Sequence, residues 1–149
     1  MYNNKVRKSN NSIKNKDVAD GKKCEAISKT ILENYLGISL LTTDWFSISD
    51  FSNPMYEIEL KKRNVKHKTY ADTMIGQNKL DYMKKQMAIN KTCIFAFHFT
   101  DGLYIIKLDE ENIKTIKENK YGGRKDRGYN EFKKSGYCYI PIDQLVKIN

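Results

Sequence analysis

MYEIELK, residues 55–61, is the stretch from which the rest of the chain can be parsed. Tyr56, Ile58 and Leu60 alternate with Glu57, Glu59 and Lys61. Successive side chains of an extended chain point to opposite faces, so the spacing predicts a strand with one apolar and one charged face. Just upstream, Ser52-Asn53-Pro54 is a turn sequence. Before it, DWFSISDF, residues 44–51, reads as a second strand, and the two make a hairpin. A turn centred on Asn53-Pro54 pairs residue 52 with 55 and residue 48 with 59. Asp44 and Asp50 then share the face of Glu59, one on either side of its cross-strand neighbour. A slip of one residue reverses that arrangement.

Working outward, residues 1–21 are rich in Asn, Lys and Ser. So little apolar surface cannot offset the entropy of ordering, and the segment reads as a flexible basic N-terminal arm. Residues 22–36 are spaced as a helix, with Cys24, Ile27, Ile31, Leu32, Tyr35 and Leu36 on one side and Gly37 as its stop. KKRNVKHK, residues 61–68, is a basic run. A second helix is expected from Ala71–Thr73 to Ile89, lined by Gly76, Leu80, Met83 and Met87. TCIFAFHF, residues 92–99, is apolar at nearly every position, as a strand covered on both faces must be. Thr100-Asp101-Gly102 turns the chain into the strand LYIIKL, and Asp109 caps a short helix containing Ile113 and Ile116. Residues 119–136 read as a polar loop and YCYIPI, residues 137–142, as the last strand. The order of elements predicts one mixed α/β domain over residues 22–149.

With 27 Lys and Arg against 18 Asp and Glu, the net charge of +9 favours a polyanionic partner. No run of apolar residues is long enough for a membrane span, and MYNNKVRKSNN is not a secretory signal. Cys24, Cys93 and Cys138 are odd in number and form no C-x-x-C pair, which argues against a zinc site or a disulfide framework and for an intracellular setting. His67 falls in the basic run and reads as a surface residue; His98, between Phe97 and Phe99, reads as a core histidine. No glycine-rich phosphate loop precedes a helix, so no nucleotide cofactor is expected.

An acid two residues before a lysine on one strand puts both on the same face. Acidic oxygens suit a hard divalent cation, and a neighbouring ammonium can orient an attacking water. The chain holds four acid-x-Lys instances: Asp20-Gly21-Lys22, Glu59-Leu60-Lys61, Glu118-Asn119-Lys120 and Glu131-Phe132-Lys133. Only Glu59-Leu60-Lys61 ends an apolar strand; the others fall in polar segments. The competing reading of Glu57, Glu59 and Lys61 is the solvated face of a half-exposed sheet. Trp45, Tyr70 and Tyr82 are candidates for stacking on bases, or for the core.

Helix, acidic strand, Glu-x-Lys strand, helix is the order of the PD-(D/E)XK nuclease superfamily, which includes restriction endonucleases and archaeal-type Holliday junction resolvases. YEIELKKRN, YADTMIGQNKLDYMKK and IFAFHFTDGLYIIKL resemble small nuclease-like proteins of phages and large DNA viruses, a likeness spanning roughly residues 22–142. It implies a restriction-endonuclease-like fold, a mixed central sheet flanked by helices. It also implies Mg²⁺- or Mn²⁺-dependent DNA hydrolysis, with branched DNA among the substrates. The chain departs from the pattern in having Thr43 or Ser49, not proline, before its aspartate.

Residue by residue, the resemblance implies that Asp44 and Glu59, with the Leu60 carbonyl, hold the metal, while Lys61 positions the water. The spacing of Asp44 from Glu59 is the more family-like, with Asp50 the alternative acid. Glu25 on the first helix borders the apolar stripe and completes the acidic set; Glu33 points further out. Gln77 and Lys79 match the Gln or Lys often found on the following helix. Lys62, Arg63, Lys66, Lys68, Arg124, Lys125 and Arg127 would hold phosphates. DNA is the implied partner, and the two symmetric cuts of a junction suggest a homodimer. The rival reading is a nuclease-fold DNA-binding or virion protein without activity. A membrane-surface binder is disfavoured, since no helix pairs a basic face with bulky apolar anchors.

Overall fold

TCIFAFHF becomes the central strand in the computed structural model, which describes residues 3–44, 47–119 and 136–149. Along the chain lie α1 (Asn3–Leu36), β1 (Leu41–Thr42), β2 (Phe51–Ser52), β3 (Tyr56–Lys62), β4 (Asp72–Gly76) and α2 (Gln77–Ala88). Then come β5 (Thr92–Phe99), β6 (Gly102–Lys107), α3 (Glu110–Ile113), β7 (Lys117–Asn119), β8 (Tyr137–Pro141) and β9 (Val146–Lys147). Among the described residues β1-β2-β3-β5-β6-β9 form a six-stranded sheet and β4-β8-β7 a smaller one. β3 and β5 are parallel, with Glu59 opposite Phe95; the other pairs are antiparallel. A parallel pair needs a crossover, and β4 and α2 supply it.

The alternation of β5 divides the core. Cys93, Phe95, Phe97 and Phe99 pack with Leu80 and Met83 of α2 and with Ile75, Cys138 and Ile140 of the small sheet. Ile94 and Ala96 point the other way, onto Leu32 of α1 with Phe51, Ile58 and Leu103. The result is a mixed central sheet between helices, the expected α/β restriction-endonuclease-like layout. The described residues contain no helix long and apolar enough to cross a membrane.

Four local expectations change. The first helix begins at Asn3, not at residue 22, so its backbone runs through most of the stretch read as an arm; no proline interrupts that stretch. Its buried stripe is Cys24, Ser28 and Leu32, while Ile27 and Tyr35 are exposed. DWFSISDF does not run as one strand over its described residues: residues 47–50 are irregular, and the strand pairing with β3 is Phe51–Ser52. Ser and Asp side chains compete for backbone groups, and Asp50 does so by accepting from Leu60 N–H at 2.7 Å. Residues 72–76 form a strand, with Thr73 and Ile75 buried between exposed Asp72 and Met74, so α2 starts at Gln77. The smaller expectation of an Asp109-capped helix holds at its start, with a full capping box, but the helix ends at Ile113 and leaves Ile116 beyond it.

The stripe on α1 can be tested. Leu32→Ala is expected to cost about 3 kcal/mol in urea unfolding, as for other fully buried leucines. Ile27→Ala and Tyr35→Ala should each stay within about 0.5 kcal/mol. Equal losses at all three positions would mean that the outer stripe is buried too.

Candidate active site

Glu59 is 1% exposed. It shares a face of the sheet with Glu57 and Phe95, so α2 rather than water lies over it. The solvated-face reading therefore fails for both glutamates. Lys61 Nζ lies 2.6 Å from Glu59 Oε1, and Lys79 Nζ of α2 lies 3.3 Å from each carboxylate oxygen. Oε1 has these charge contacts but no well-aligned hydrogen bond. Lys79 also donates to the Ile48 carbonyl, tying α2 to the loop before β2.

Burial raises the Glu59 pKa above the ordinary 4.5, Lys61 opposes it, Asp50 adds to the rise, and Lys79 opposes it more weakly. Desolvation wins over two ammonium groups because the carboxyl is almost wholly out of water. Asp50 also helps to raise Glu25, after burial, while Lys22 and Lys29 pull it down. Asp50 thus lies within electrostatic reach of both glutamates, at the point where β2 ends.

The pairing places Ser52 opposite Glu57 and Phe51 opposite Ile58, two residues from the expected register. Asn53 explains the shift, because its side chain accepts from both Met55 and Tyr56 N–H and widens the turn. A shift of two keeps the parity of every face, but it brings Asp50 rather than Ile48 to the edge beside Glu59, where the Asp50 N–H donates to the Ile58 carbonyl at 2.9 Å. Beyond Asp50 the β2 backbone leaves the sheet, and the Asp50 carboxylate meets Leu60 N–H in its place. A strand residue directs its N–H and C=O to the same side, so the Leu60 carbonyl faces this open edge as well. Carboxylate and carbonyl oxygens are the donors a hard divalent cation takes. The donor set fits such an ion, and Glu59 Oε1 still lacks an aligned donor. Among the described residues, however, no three His, Cys, Asp or Glu side chains already stand close enough to share a metal.

Glu57, one strand repeat earlier, is a different kind of acid. It is buried, accepting from Ser49 Oγ at 2.5 Å and Ser52 Oγ at 2.9 Å, and it pairs with Lys91 at 2.8 Å. Burial pushes its pKa up, but Lys91 and the two serines outweigh it and the carboxyl sits below 4.5. This network holds the backbone of Ser49, next to Asp50. Sequence reading missed Ser49, Ser52 and Lys91 as partners; the only available signal was that Glu57 shares the face of Glu59.

The other expected site residues scatter. Asp44 is exposed on the loop before β2, and Asp50 is the aspartate whose charge acts on Glu59. Gln77 turns away from Glu59 and donates to Asp81 and Glu118, so Gln77 and Lys79 do flank α2 on opposite sides. Arg63 is engaged structurally: it donates to Thr73 and the Met74 carbonyl and lies over Phe97 at 5.6 Å. Lys62, Lys66 and Lys68 are exposed. Arg124, Lys125, Arg127 and Trp45 lie outside the described residues. His67 is not a surface residue. Its ring is buried, stacked on Tyr104 at 4.0 Å, with Nε2 2.9 Å from the Ile142 carbonyl. His98 pairs with Ser28 Oγ at 2.9 Å, in keeping with a satisfied histidine.

A family model described as "phage putative PDDEXK endonuclease" matches residues 7–148. No curated protein matches the chain.

The two glutamates have opposite linkage. The Glu57 pKa is depressed on folding, so its stabilisation is complete above the ordinary 4.5 and is lost as pH falls through the lower folded value. Glu57→Gln should cost about 2 kcal/mol at pH 7, the worth of a hydrogen bond to a charged group, and the loss should shrink in acid. The Glu59 pKa is raised, so ionising it costs stability that sets in above 4.5 and is complete above the folded value. Glu59→Gln should leave Tm unchanged or higher at pH 8. Urea and thermal unfolding of both variants between pH 3 and 8 would reveal a reversed order.

Proposed function

The chain belongs to this phage PDDEXK endonuclease family, and on that premise we propose that it hydrolyses DNA phosphodiesters with a divalent ion, Mg²⁺ or Mn²⁺, inside the infected cell. The observation that carries the proposal is Glu59: a buried carboxyl on β3, paired with Lys61 two residues on and within reach of the charge of Asp50. Glu59, Asp50 and the Leu60 carbonyl would hold the ion, with Glu25 as the outer acid. Asp50 takes the part first expected of Asp44, because it is the aspartate at the edge of β3. A divalent ion there neutralises phosphate charge and activates water.

The remaining work belongs to the chain's own groups. Lys61 donates to the attacking water and fixes its direction. Lys79 presents a second ammonium to the phosphate from the N-terminal turn of α2, where the helix dipole also favours an anion. Lys62, Lys66 and Lys68 hold flanking phosphates, each adding close to one unit to the salt slope of binding. Branched DNA is the substrate class that fits this reading, and a junction with two symmetric cuts would call for two copies of the chain.

One observation favours the rival, a nuclease fold that binds DNA without cutting it. Lysines engage the Glu59 carboxylate, and among the described residues no three metal-ligating side chains already converge. Cleavage decides between the two. Purified protein should nick or cut linear, single-stranded or four-way-junction DNA in Mg²⁺ or Mn²⁺. Glu59→Gln, Lys61→Ala and Asp50→Asn should each lose at least about a hundredfold in rate while still binding DNA. Asp44→Asn should stay within about threefold. DNA binding by wild type with no cutting on any substrate would establish the rival.

A further inference from the structure

A cavity of about 380 Å³ opens beside the end of β3, on the same face of the sheet as Glu59. The face is fixed by register. Arg63 N–H continues the ladder to the His98 carbonyl, and its guanidinium lies over Phe97, whose neighbours on that side are Phe95 and Phe99. Four strand residues separate Glu59 from Arg63, roughly 13 Å. The volume falls in the range of ligand-sized clefts.

Its walls are mostly apolar. Val65, Phe99 and Ile142 line it together with Met74, Tyr70 and Tyr139. Tyr70 is 65% exposed and Met74 40%, so two bulky side chains stand in water at the mouth. The frame behind them is pinned. The buried His67 is stacked on Tyr104 and bonded to the Ile142 carbonyl, with its N–H on Asp101. Ile142 N–H bonds the Ala71 carbonyl, and Thr100 N–H the Val65 carbonyl. Tyr70 sits between these anchors, directly after the short 3-10 turn His67–Thr69. Asn64, Lys66 and Asp72 also line the cavity, offering an amide, an ammonium and a carboxylate.

We propose that this cavity takes an unpaired nucleobase from the strand that runs past Glu59. Aromatic rings stack on any base, apolar walls suit its faces, and the amide and carboxylate suit its polar edge. Lys66 lies where the phosphate beside that base would pass. A base inside a duplex cannot enter a pocket of this kind without leaving its stack, so the site selects DNA that already holds an unpaired base. Arg63, bonded to Thr73 and Met74, serves as the wall between cavity and acid rather than as a phosphate hook. The inference rests on the nucleic-acid reading above but not on cleavage.

The test uses full-length protein without divalent metal and a duplex carrying one 2-aminopurine, either paired or as a one-base bulge. Wild type should bind the bulged duplex about tenfold more tightly, a typical worth for one base stacked on an aromatic ring, and should quench its fluorescence. Tyr70→Ala should abolish the preference and the quench while keeping the affinity for paired duplex; Tyr70→Phe should restore both. Equal affinity for the two duplexes, or an equal loss on both in Tyr70→Ala, would overturn the pocket and leave the nuclease reading standing. A bulge preference in a protein that never cuts would sink the catalytic reading alone. Binding to neither duplex would sink both.

Discussion

A carboxyl group with 1% exposure is expensive to charge, and the architecture around β3 answers that cost. Lys61 comes from the same strand and Lys79 from the crossover helix, while Asp50, in the loop before β2, adds to the cost. Even so, desolvation prevails, and the pKa of Glu59 remains raised. Glu57, two residues earlier on the same face, has the contrary balance: two hydroxyl donors and a lysine outweigh its burial. One face of one strand thus carries a satisfied acid that builds structure and an under-satisfied acid suited to bind something. The difference lies in the number and alignment of donors, not in residue type.

The same contrast accounts for the loop before β2. Ser49 serves Glu57, Asp50 serves Leu60, and Lys79 reaches the Ile48 carbonyl. Three consecutive residues without regular structure are fastened to two elements, Ile48 to α2 and Ser49 and Asp50 to β3. Irregular backbone fixed by side chains can hold a carboxylate where a regular strand would have spent that edge on ladder bonds.

Much of the central sheet was legible because its signals are local. Alternation in residues 56–61 and the apolar run at 92–99 need no knowledge of distant partners. The burial of Glu57 and Glu59 was not legible, since it depends on α2 arriving from the far side of the crossover. Residues 72–76 were misread because Gly76, Leu80, Met83 and Met87 happen to fit helical spacing, while the actual partner of β4 is β8, some 65 residues later. His67 sits among lysines in sequence but packs on Tyr104, which only the β5–β6 hairpin brings near. Which aspartate comes near Glu59 depends on a turn two residues wider than the sequence suggests, and the double acceptance by Asn53 widens it.

The parallel pairing of β3 with β5 has a consequence for the order in which the molecule matures. Residues 56–62 can meet β2 early, through a short local turn, but their other neighbour is separated from them by the whole stretch 63–91. Closing that long segment is slow relative to hairpin formation. Until Phe95 docks opposite Glu59 and α2 settles over it, the carboxyl is an ordinary hydrated acid with no unusual proton affinity and no fixed ammonium neighbour. The raised proton affinity of Glu59 is therefore a property of the finished topology, absent from nascent or partly unfolded chains. Ripening of the centre and completion of the fold become a single event.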